Sequence, residues 1–129
     1  MSIPRINSVQ LENRLVDFAL RVRTLLTLLP RDEFSNNLKY QISRSVTSPA
    51  FNYGEAQSAE SKKDFIHKMG ICLKELRETN VGLLFIERGD FNLSPRIIQS
   101  LRQENNELIS IFVKSINTAK HNLNTRGKV

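Results

Sequence analysis

The chain has 129 residues, of which 40% are hydrophobic and 25% charged, and its net charge is +6. This length suits one domain, and the composition excludes the low-hydrophobicity, high-charge class of disordered chains. Glycine and proline are sparse, which favours helices joined by short turns over a turn-rich β-fold. We therefore expect a single all-α domain over residues 1–129.

The first predicted helix spans about residues 8–29. Its apolar residues alternate spacings of four and three, which is typical of a helix packed at a shallow angle on its neighbours. They are Leu11, Leu15, Phe18, Val22, Leu25 and Leu29. Asn7 or Ser8 can cap the start, and we expect Pro30 to end the helix after Leu29.

The second predicted helix spans about residues 32–59, after a turn so short that the two helices should be antiparallel. The residues expected to face the core form a stripe and recur every three or four positions along the whole helix, although their side chains become smaller towards its end. The stripe is Phe34, Leu38, Ile42, Ser45, Pro49, Asn52, Ala56 and Ala59. This continuity predicts helix, and not a linker, for the run SRSVTSPAFNYGEAQSAES. We expect a kink near Pro49, because proline removes a backbone hydrogen bond.

Ser61 and Asp64 resemble a capping box, which predicts a third helix over about residues 62–88. Its core residues are Phe65, Met69, Cys72, Leu76, Leu83 and Ile86. The run VGLLFI alone would also suit a strand, but it continues the helical run CLKELRET, which favours helix. Gly89 is a natural end for this helix.

Ser94 and Pro95 predict the start of a fourth helix over about residues 95–122, followed by a frayed tail at 123–129. This helix carries more apolar residues than one core needs. They form a stripe (Ile98, Leu101, Asn105, Leu108, Phe112, Ser115, Ala119), a second row (Ile109, Ile116, Leu123) and two flanking positions (Ile97, Ile111). Either the core-facing surface is wide, or the helix adds a subunit interface; the pattern favours the interface. The fold expected from the four helices is an antiparallel up-down four-helix bundle.

Residues suited to catalysis or metal binding are not grouped in this sequence. Asp64 and His67 form only half of the motif used by di-iron bundles, and His121 lacks an acidic partner three residues before it. His67 and Cys72 point about 140° apart on a helix, so they do not form a nucleophile pair. No glycine-rich phosphate loop is present. We expect no enzyme activity, no cofactor and no metal.

Cys72 is the only cysteine, so an internal disulfide is impossible and a reducing compartment suits the chain. The N-terminal residues lack the apolar core of a signal peptide, and the longest apolar runs are too short to span a bilayer. We expect a soluble cytoplasmic protein without membrane contact.

The positive charge lies at the two ends of the chain. Residues 1–31 carry five arginines against two acids, and residues 91–129 carry six basic residues against two acids. If the first and last helices are neighbours, they form a basic face that attracts nucleic acid; a basic surface that only aids solubility is the alternative. The candidate phosphate contacts are Arg14, Arg21, Arg23, Arg96, Arg102, Lys114 and Lys120.

A polar set clusters on one side of the second predicted helix: Arg44, Ser45, Ser48, Asn52 and Glu55. One interpretation is an internal hydrogen-bond network that sets the register of two close helices. The other is part of a binding groove. The first is favoured, and both stay open from the sequence.

The run RSVTSPAFNYGEA, with LLPRDEF before it and DFIHKMGICLKELRET after it, resembles a group of bacterial four-helix-bundle proteins. This group includes the proteins encoded in intervening sequences of 23S ribosomal RNA genes and the accessory variability proteins of diversity-generating retroelements. The similarity covers about residues 9–120. The residues that carry it are Arg44, Ser45, Thr47, Ser48, Asn52, Glu55 and Ala56, followed by Lys74, Glu75 and Glu78.

The resemblance implies an antiparallel bundle that assembles into a ring-like homopentamer through helix faces outside the core. For the retroelement members it also implies nucleic-acid binding and association with a reverse transcriptase. Two hypotheses follow. The chain is an oligomeric accessory factor whose basic surface binds RNA or an RNA–DNA hybrid, or it is a protein-interaction scaffold, for example for a reverse transcriptase, that binds no nucleic acid directly.

Overall fold

The computed structural model of the chain describes residues 6–126, and this part of the chain folds into four α-helices without a strand. The helices are α1 (Ser8–Leu26), α2 (Glu33–Gln57), α3 (Lys62–Arg88) and α4 (Pro95–Arg126). The all-α prediction is therefore confirmed. Over the same residues, no helix combines the length and the hydrophobicity that a membrane span requires.

The four helices pack as a bundle in which α1 contacts both α2 and α4, and α3 contacts both α2 and α4. Paired residues occur in opposite order along α1 and α4: Arg14 bonds Glu104, whereas Arg21 bonds Ser100. This order is the one expected for antiparallel neighbours. The first and last helices are thus in contact, which the idea of a shared basic face requires.

One hydrophobic core runs along the bundle axis. All six residues of the predicted α1 stripe are buried in it, together with Phe112 of α4 and Met69 of α3. Tyr53 of α2 places its ring edge-on to that of Phe112, with the ring centroids 5.8 Å apart. Burial of each large apolar side chain is worth roughly 1.5–3 kcal/mol, so this core is the main source of stability.

Helix α1 ends at Leu26, three residues before the predicted end at Leu29. The amides of Leu28 and Leu29 bond the carbonyls three residues earlier, at 3.0 and 3.2 Å, so the chain tightens before Pro30. Proline disfavours the α-helical conformation only at Leu29, so the earlier end at Leu26 reflects this tightened last turn. Leu29 nevertheless stays buried.

Helix α2 continues through Pro49 as far as Gln57, so most of the polar run from Ser43 is helix, as predicted. The kink at Pro49 stays a prediction. Phe34 is not part of the core: it is 60% exposed, whereas Ser35 is only 1% exposed. Asp32 caps the helix by accepting bonds from the amide and the hydroxyl of Ser35, which lets this small polar residue face inward.

The last positions of the predicted α2 stripe also differ from the structure. Tyr53 is buried, whereas its neighbour Asn52 is only partly buried. Ala59 lies beyond the end of the helix. The rest of the stripe is as predicted, since Leu38, Ile42, Ser45, Pro49 and Ala56 are buried. At 52–53 the larger aromatic side chain of Tyr53 takes the inward position in place of Asn52.

Helix α4 extends to Arg126, past the predicted end at 122, so residues 123–126 are helical and not frayed. Leu123 is partly buried and no glycine or proline occurs before Gly127, which allows the helix to continue. Residues 127–129 of the predicted tail lie outside the described residues. Ile116 is buried, and Ile109 and Ile111 pack against the core, so a wide core-facing surface accounts for these residues.

Candidate nucleic-acid interface

The candidate phosphate contacts lie on two neighbouring helices, three on α1 and four on α4, but they differ in what they contact. Arg14 bonds Glu104 through Nε at 3.1 Å and through Nη2 at 2.5 Å, and it reaches Glu107 at 3.2 Å. The hydrogen bonds to Glu104 raise the pKa of Arg14 above its usual value. Two carboxylates face this one guanidinium, so a phosphate would have to displace them.

Arg102 is also paired within the chain. Its Nη1 donates to both carboxylate oxygens of Glu87 on α3, at 2.9 and 3.2 Å. One guanidinium nitrogen is thus shared between the two oxygens, and this charge-assisted contact joins α3 to α4. The positive charge of Arg102 is therefore neutralised by Glu87.

Arg21 and Arg96 are brought together in a shallow groove between α1 and α4. The groove has a volume of about 380 Å³ and is also lined by Thr24, Ile97 and Ser100. The Nη2 of Arg21 donates to Ser100 Oγ at 2.8 Å. Neither arginine forms an ion pair with an acid among residues 6–126. The groove therefore presents two uncompensated guanidinium groups beside two hydroxyls.

Arg23, Lys114 and Lys120 are exposed, and none of them is ion-paired within the described part of the chain. Arg23 is two residues after Arg21, so it points about 200° away around α1 and leaves the groove. Lys114 lies about 27 Å along α4 from Arg96. The seven predicted contacts thus form one compact pair and several separate charges.

The polar set on α2 is divided between the core and the surface. Ser45 is buried, and its hydroxyl lies 2.8 Å from that of Thr79 on α3. Asn52 donates to the carbonyl and hydroxyl oxygens of Ser48, both at 3.0 Å, within its own helix. The network interpretation therefore applies to Ser45, and its partner Thr79 was missed. The spacing of Thr79 from Leu76 and Leu83, by three and four, was the available signal.

Arg44, Thr47 and Glu55 are exposed. Thr47 bonds the carbonyl of Ser43, and Glu55 accepts a long bond of 3.5 Å from Lys68. None of these three side chains points into the core. They belong to the outer surface of the bundle, where they are available to a partner.

Two glutamates on α3 lie close together near this surface. Burial raises the pKa of Glu75, and a hydrogen bond and the charge from Glu78 add to the increase; Lys74 and Arg44 offset part of it. The two glutamates therefore form a small acidic patch, and a further cation beside them would be attracted to it.

Cys72 is fully buried, and its thiol donates to the carbonyl of Pro49 at 3.4 Å. Burial raises its pKa to about 12, so the thiol stays protonated near neutral pH. Among the residues that the structure describes, no three potential metal ligands from His, Cys, Asp or Glu are grouped.

An apolar groove between α2 and α3 was not predicted. Phe34, Val81 and Phe85 are 60%, 51% and 50% exposed, and they line two adjoining cavities of about 280 and 630 Å³. The Phe34 and Phe85 rings meet edge-on at 6.2 Å. Val81 and Phe85 lie in the run VGLLFI. Because almost every residue of this run is apolar, the sequence pattern did not indicate which of them face outward.

Comparison with known proteins places this bundle among relatives. A family model described as 23S rRNA-intervening sequence protein matches residues 8–114. A crystal structure of a protein with unknown function from the S23 ribosomal protein family of Bacteroides thetaiotaomicron is also similar. It is 29% identical, the match covers 82% of this chain and 97% of that chain, and the TM-score is 0.75. No curated protein matches the sequence.

Proposed function

Because the chain belongs to the family of 23S rRNA-intervening sequence proteins, we propose that it is a non-enzymatic, homo-oligomeric bundle that binds structured RNA or an RNA–DNA hybrid. The oligomer is a ring, a pentamer by its family resemblance, and it works as an accessory factor in the cytoplasm. The observation that carries nucleic-acid binding is the pair Arg21 and Arg96, which share one groove without a neutralising acid.

The chemistry of this groove suits a phosphate backbone. Guanidinium groups bind phosphate oxygens through two parallel hydrogen bonds, and they lose little hydration energy when they do so. Ser100 accepts a bond from Arg21 and keeps its own hydroxyl proton as a further donor, whereas Thr24 donates to the carbonyl of Leu20. These contacts recognise phosphate and sugar and not base edges, so binding should depend on shape more than on sequence.

Assembly strengthens a weak site. A groove with two arginines binds phosphate modestly, but copies presented around a ring bind one long ligand together, which raises the effective affinity. Lys114 and Lys120, exposed along α4, extend the positive surface away from the groove.

Buried and unreactive groups support a role without catalysis. Cys72, the one thiol, is inside the core with a pKa near 12. His67 lies on the surface of α3, five residues from it, and on another side of the helix.

A salt series of RNA binding tests the proposal. We expect the affinity for a structured RNA to fall steeply between low and physiological salt, as it does when counterions are released from phosphates. The variant Arg21→Gln with Arg96→Gln should bind at least about tenfold more weakly and reduce the slope of log affinity against log salt by about two.

The matched control is Arg31→Gln with Arg77→Gln, which removes the same charge from two exposed arginines outside the groove. It should retain most of the affinity. Equal losses in both variants would assign binding to net charge alone, and no RNA retention at low salt would contradict nucleic-acid binding altogether.

The second candidate is a protein-interaction scaffold, for example a partner of a reverse transcriptase. Tyr40 and Phe51 favour it, because they are 65% and 75% exposed and lie three turns apart on the outer face of α2, with Arg44 and Thr47 between them. Tyrosine and arginine are enriched among the residues that dominate protein interfaces. Tyr40→Ser with Phe51→Ser should then abolish binding to a reverse transcriptase and leave the RNA affinity unchanged.

A further inference from the structure

Helix α1 carries a second apolar row on the side opposite to its core stripe. This outer row consists of Val9, Val16, Leu20 and Arg23, with spacings of seven, four and three. The three apolar members are exposed. Spacings of four and three keep Val16, Leu20 and Arg23 on one face of the helix, whereas Val9 lies two turns earlier with the polar Glu12 and Asn13 between. Nothing within the described chain covers this row.

The α2–α3 groove is the second uncovered apolar surface. Phe34, Val81 and Phe85 line both of its cavities. Glu78 is the charged residue at the edge of the smaller cavity, and Asp32 and Arg88 line the larger one. Gly82 forms part of the floor of the smaller cavity, where the missing side chain lets Ile42 approach the α3 backbone closely. An apolar depression with a charged edge is the usual form of a site for a helix.

The row and the groove match in spacing when read in opposite directions. Arg23, Leu20 and Val16 are separated by three and then four residues along α1. Glu78, Val81 and Phe85 are separated by three and then four residues along α3. Each set therefore spans about 10 Å of helix, with the charged residue at one end and two apolar residues after it.

The charges at the matching ends are opposite. Arg23 forms no ion pair within the described residues. Glu78 stands beside Glu75, where two carboxylates crowd each other. A guanidinium brought to this position would add to the offset that Lys74 and Arg44 already provide. Because Glu78 is exposed in the single chain, the docked helix itself would shield the new ion pair from water and strengthen the attraction.

We propose that the outer row of one copy docks into the α2–α3 groove of a second copy, with the two helices antiparallel. In this register Arg23 meets Glu78, Leu20 packs against Val81, and Val16 packs against Phe85. The docking rests on the homo-oligomer proposed above and identifies the surfaces that form it.

The two surfaces lie on different sides of one chain, so each copy offers a row to one neighbour and a groove to the other. Contacts of this head-to-tail kind close into rings when the rotation between copies divides a full turn. Arg23 then belongs to the subunit interface and not to the RNA-binding set, which separates it from Arg21 and Arg96.

Two complementary variants test the docking by light scattering in the absence of RNA. The row variant is Val16→Glu with Leu20→Glu, and the groove variant is Val81→Glu with Phe85→Glu. We expect the wild type to be an oligomer and each variant alone to be a monomer. An equimolar mixture should form a one-to-one dimer, because one intact row and one intact groove remain.

Tyr40→Glu with Phe51→Glu is the matched control, since it places the same charges on exposed residues of the outer face of α2. It should remain an oligomer, and circular dichroism should show all variants to be helical. An oligomeric row or groove variant, or a mixture that stays monomeric, overturns the docking. A monomeric wild type overturns it too and leaves the row and groove to another protein.

A milder exchange keeps the test independent of folding defects. Arg23→Glu and Glu78→Arg should each raise the dissociation constant of the oligomer at least about tenfold, and the double variant should restore most of the affinity. Failure of this rescue counts against the register. Loss of RNA binding with an intact oligomer would contradict only the nucleic-acid role, so the two outcomes are distinguishable.

Discussion

The hydroxyls of Ser45 and Thr79 lie 2.8 Å apart at the α2–α3 interface, where both side chains are buried. Each hydroxyl also lies within bonding distance of a carbonyl on its own helix, Ser45 near that of Ile42 and Thr79 near that of Glu75. One hydroxyl donates to the other, and the accepting hydroxyl donates to its own carbonyl. The buried pair favours one relative height of the two helices, because sliding either helix would break the bond between the hydroxyls and leave each with only its local acceptor.

We expect the two hydroxyls to be energetically coupled. Thr79→Val or Ser45→Ala should each destabilise the fold by about 1 kcal/mol, since the remaining hydroxyl keeps only its local acceptor. The loss of stability in the double variant should be smaller than the sum of the two single losses, by roughly 0.5 kcal/mol at least. Urea unfolding of the four proteins measures the coupling, and strictly additive losses would show that the two groups act independently.

Gly82 should not tolerate a side chain. A Cβ there would stand 2.5 Å from Cγ1 and 2.9 Å from Cδ1 of Ile42. Crowding of this kind costs about 1–3 kcal/mol, more than the roughly 1 kcal/mol that alanine gains over glycine in a helix. Gly82→Ala should therefore lower the free energy of unfolding.

Gly70 on the same helix is the control for that substitution. A Cβ at Gly70 meets no atom within 4 Å. Gly70→Ala should raise the free energy of unfolding by roughly 0.5–1 kcal/mol. Equal effects at the two glycines would mean that α2 and α3 are not in close contact at Ile42.

Asn105 is fully buried, and its Nδ2 donates to the carbonyl of Leu76 at 3.0 Å, but its Oδ1 has no partner. Asn105→Leu removes this unsatisfied acceptor and keeps the number and branching of the side-chain heavy atoms, so we expect a gain of about 1 kcal/mol. Asn105→Ala leaves a cavity and should give no such gain. Thermal unfolding of both variants checks the order, and a leucine variant less stable than the wild type would assign a required bond to the amide.

The cap at Asp32 predicts a pH dependence at the start of α2. The hydrogen bond from the Ser35 amide lowers the pKa of Asp32 in the folded chain. Because the folded pKa is below the unfolded one, the cap stabilises the fold above about pH 4 and is lost as the pH falls through the lower value. The stability difference between wild type and Asp32→Ala should therefore shrink in acid, and a constant difference down to pH 2 would contradict the capping role.

Cys72 should resist thiol reagents in the native protein. Its side chain is buried, and its pKa of about 12 leaves almost no thiolate at pH 8. In denaturant the same thiol should react at the rate of an ordinary cysteine. Rapid labelling of the native protein would show that α2 and α3 open locally at Pro49.

Much of the fold was predictable, because helical periodicity is a local property of the chain. The alternating spacings from Leu11 onward identified α1, and the continued phase around Ser45 identified helix where composition suggested a loop. The ends were less predictable. Leu26 ends α1 before Pro30 is reached, and α4 continues past residue 122, since both ends depend on local bonding and packing as well as on helix-breaking residues.

The candidate site was less predictable, because a list of charges does not say which of them are paired. Arg14 and Glu104 are 90 residues apart in sequence, yet their bond removes Arg14 from the free charges, whereas Arg21 and Arg96 become neighbours without one. The exposed position of Phe34 and the pairing of Ser45 with Thr79 also depend on how the helices pack, which the sequence pattern of one helix does not show. Periodicity defines each helix and its apolar face, but rotation and register against other helices arise from contacts between residues far apart in the chain.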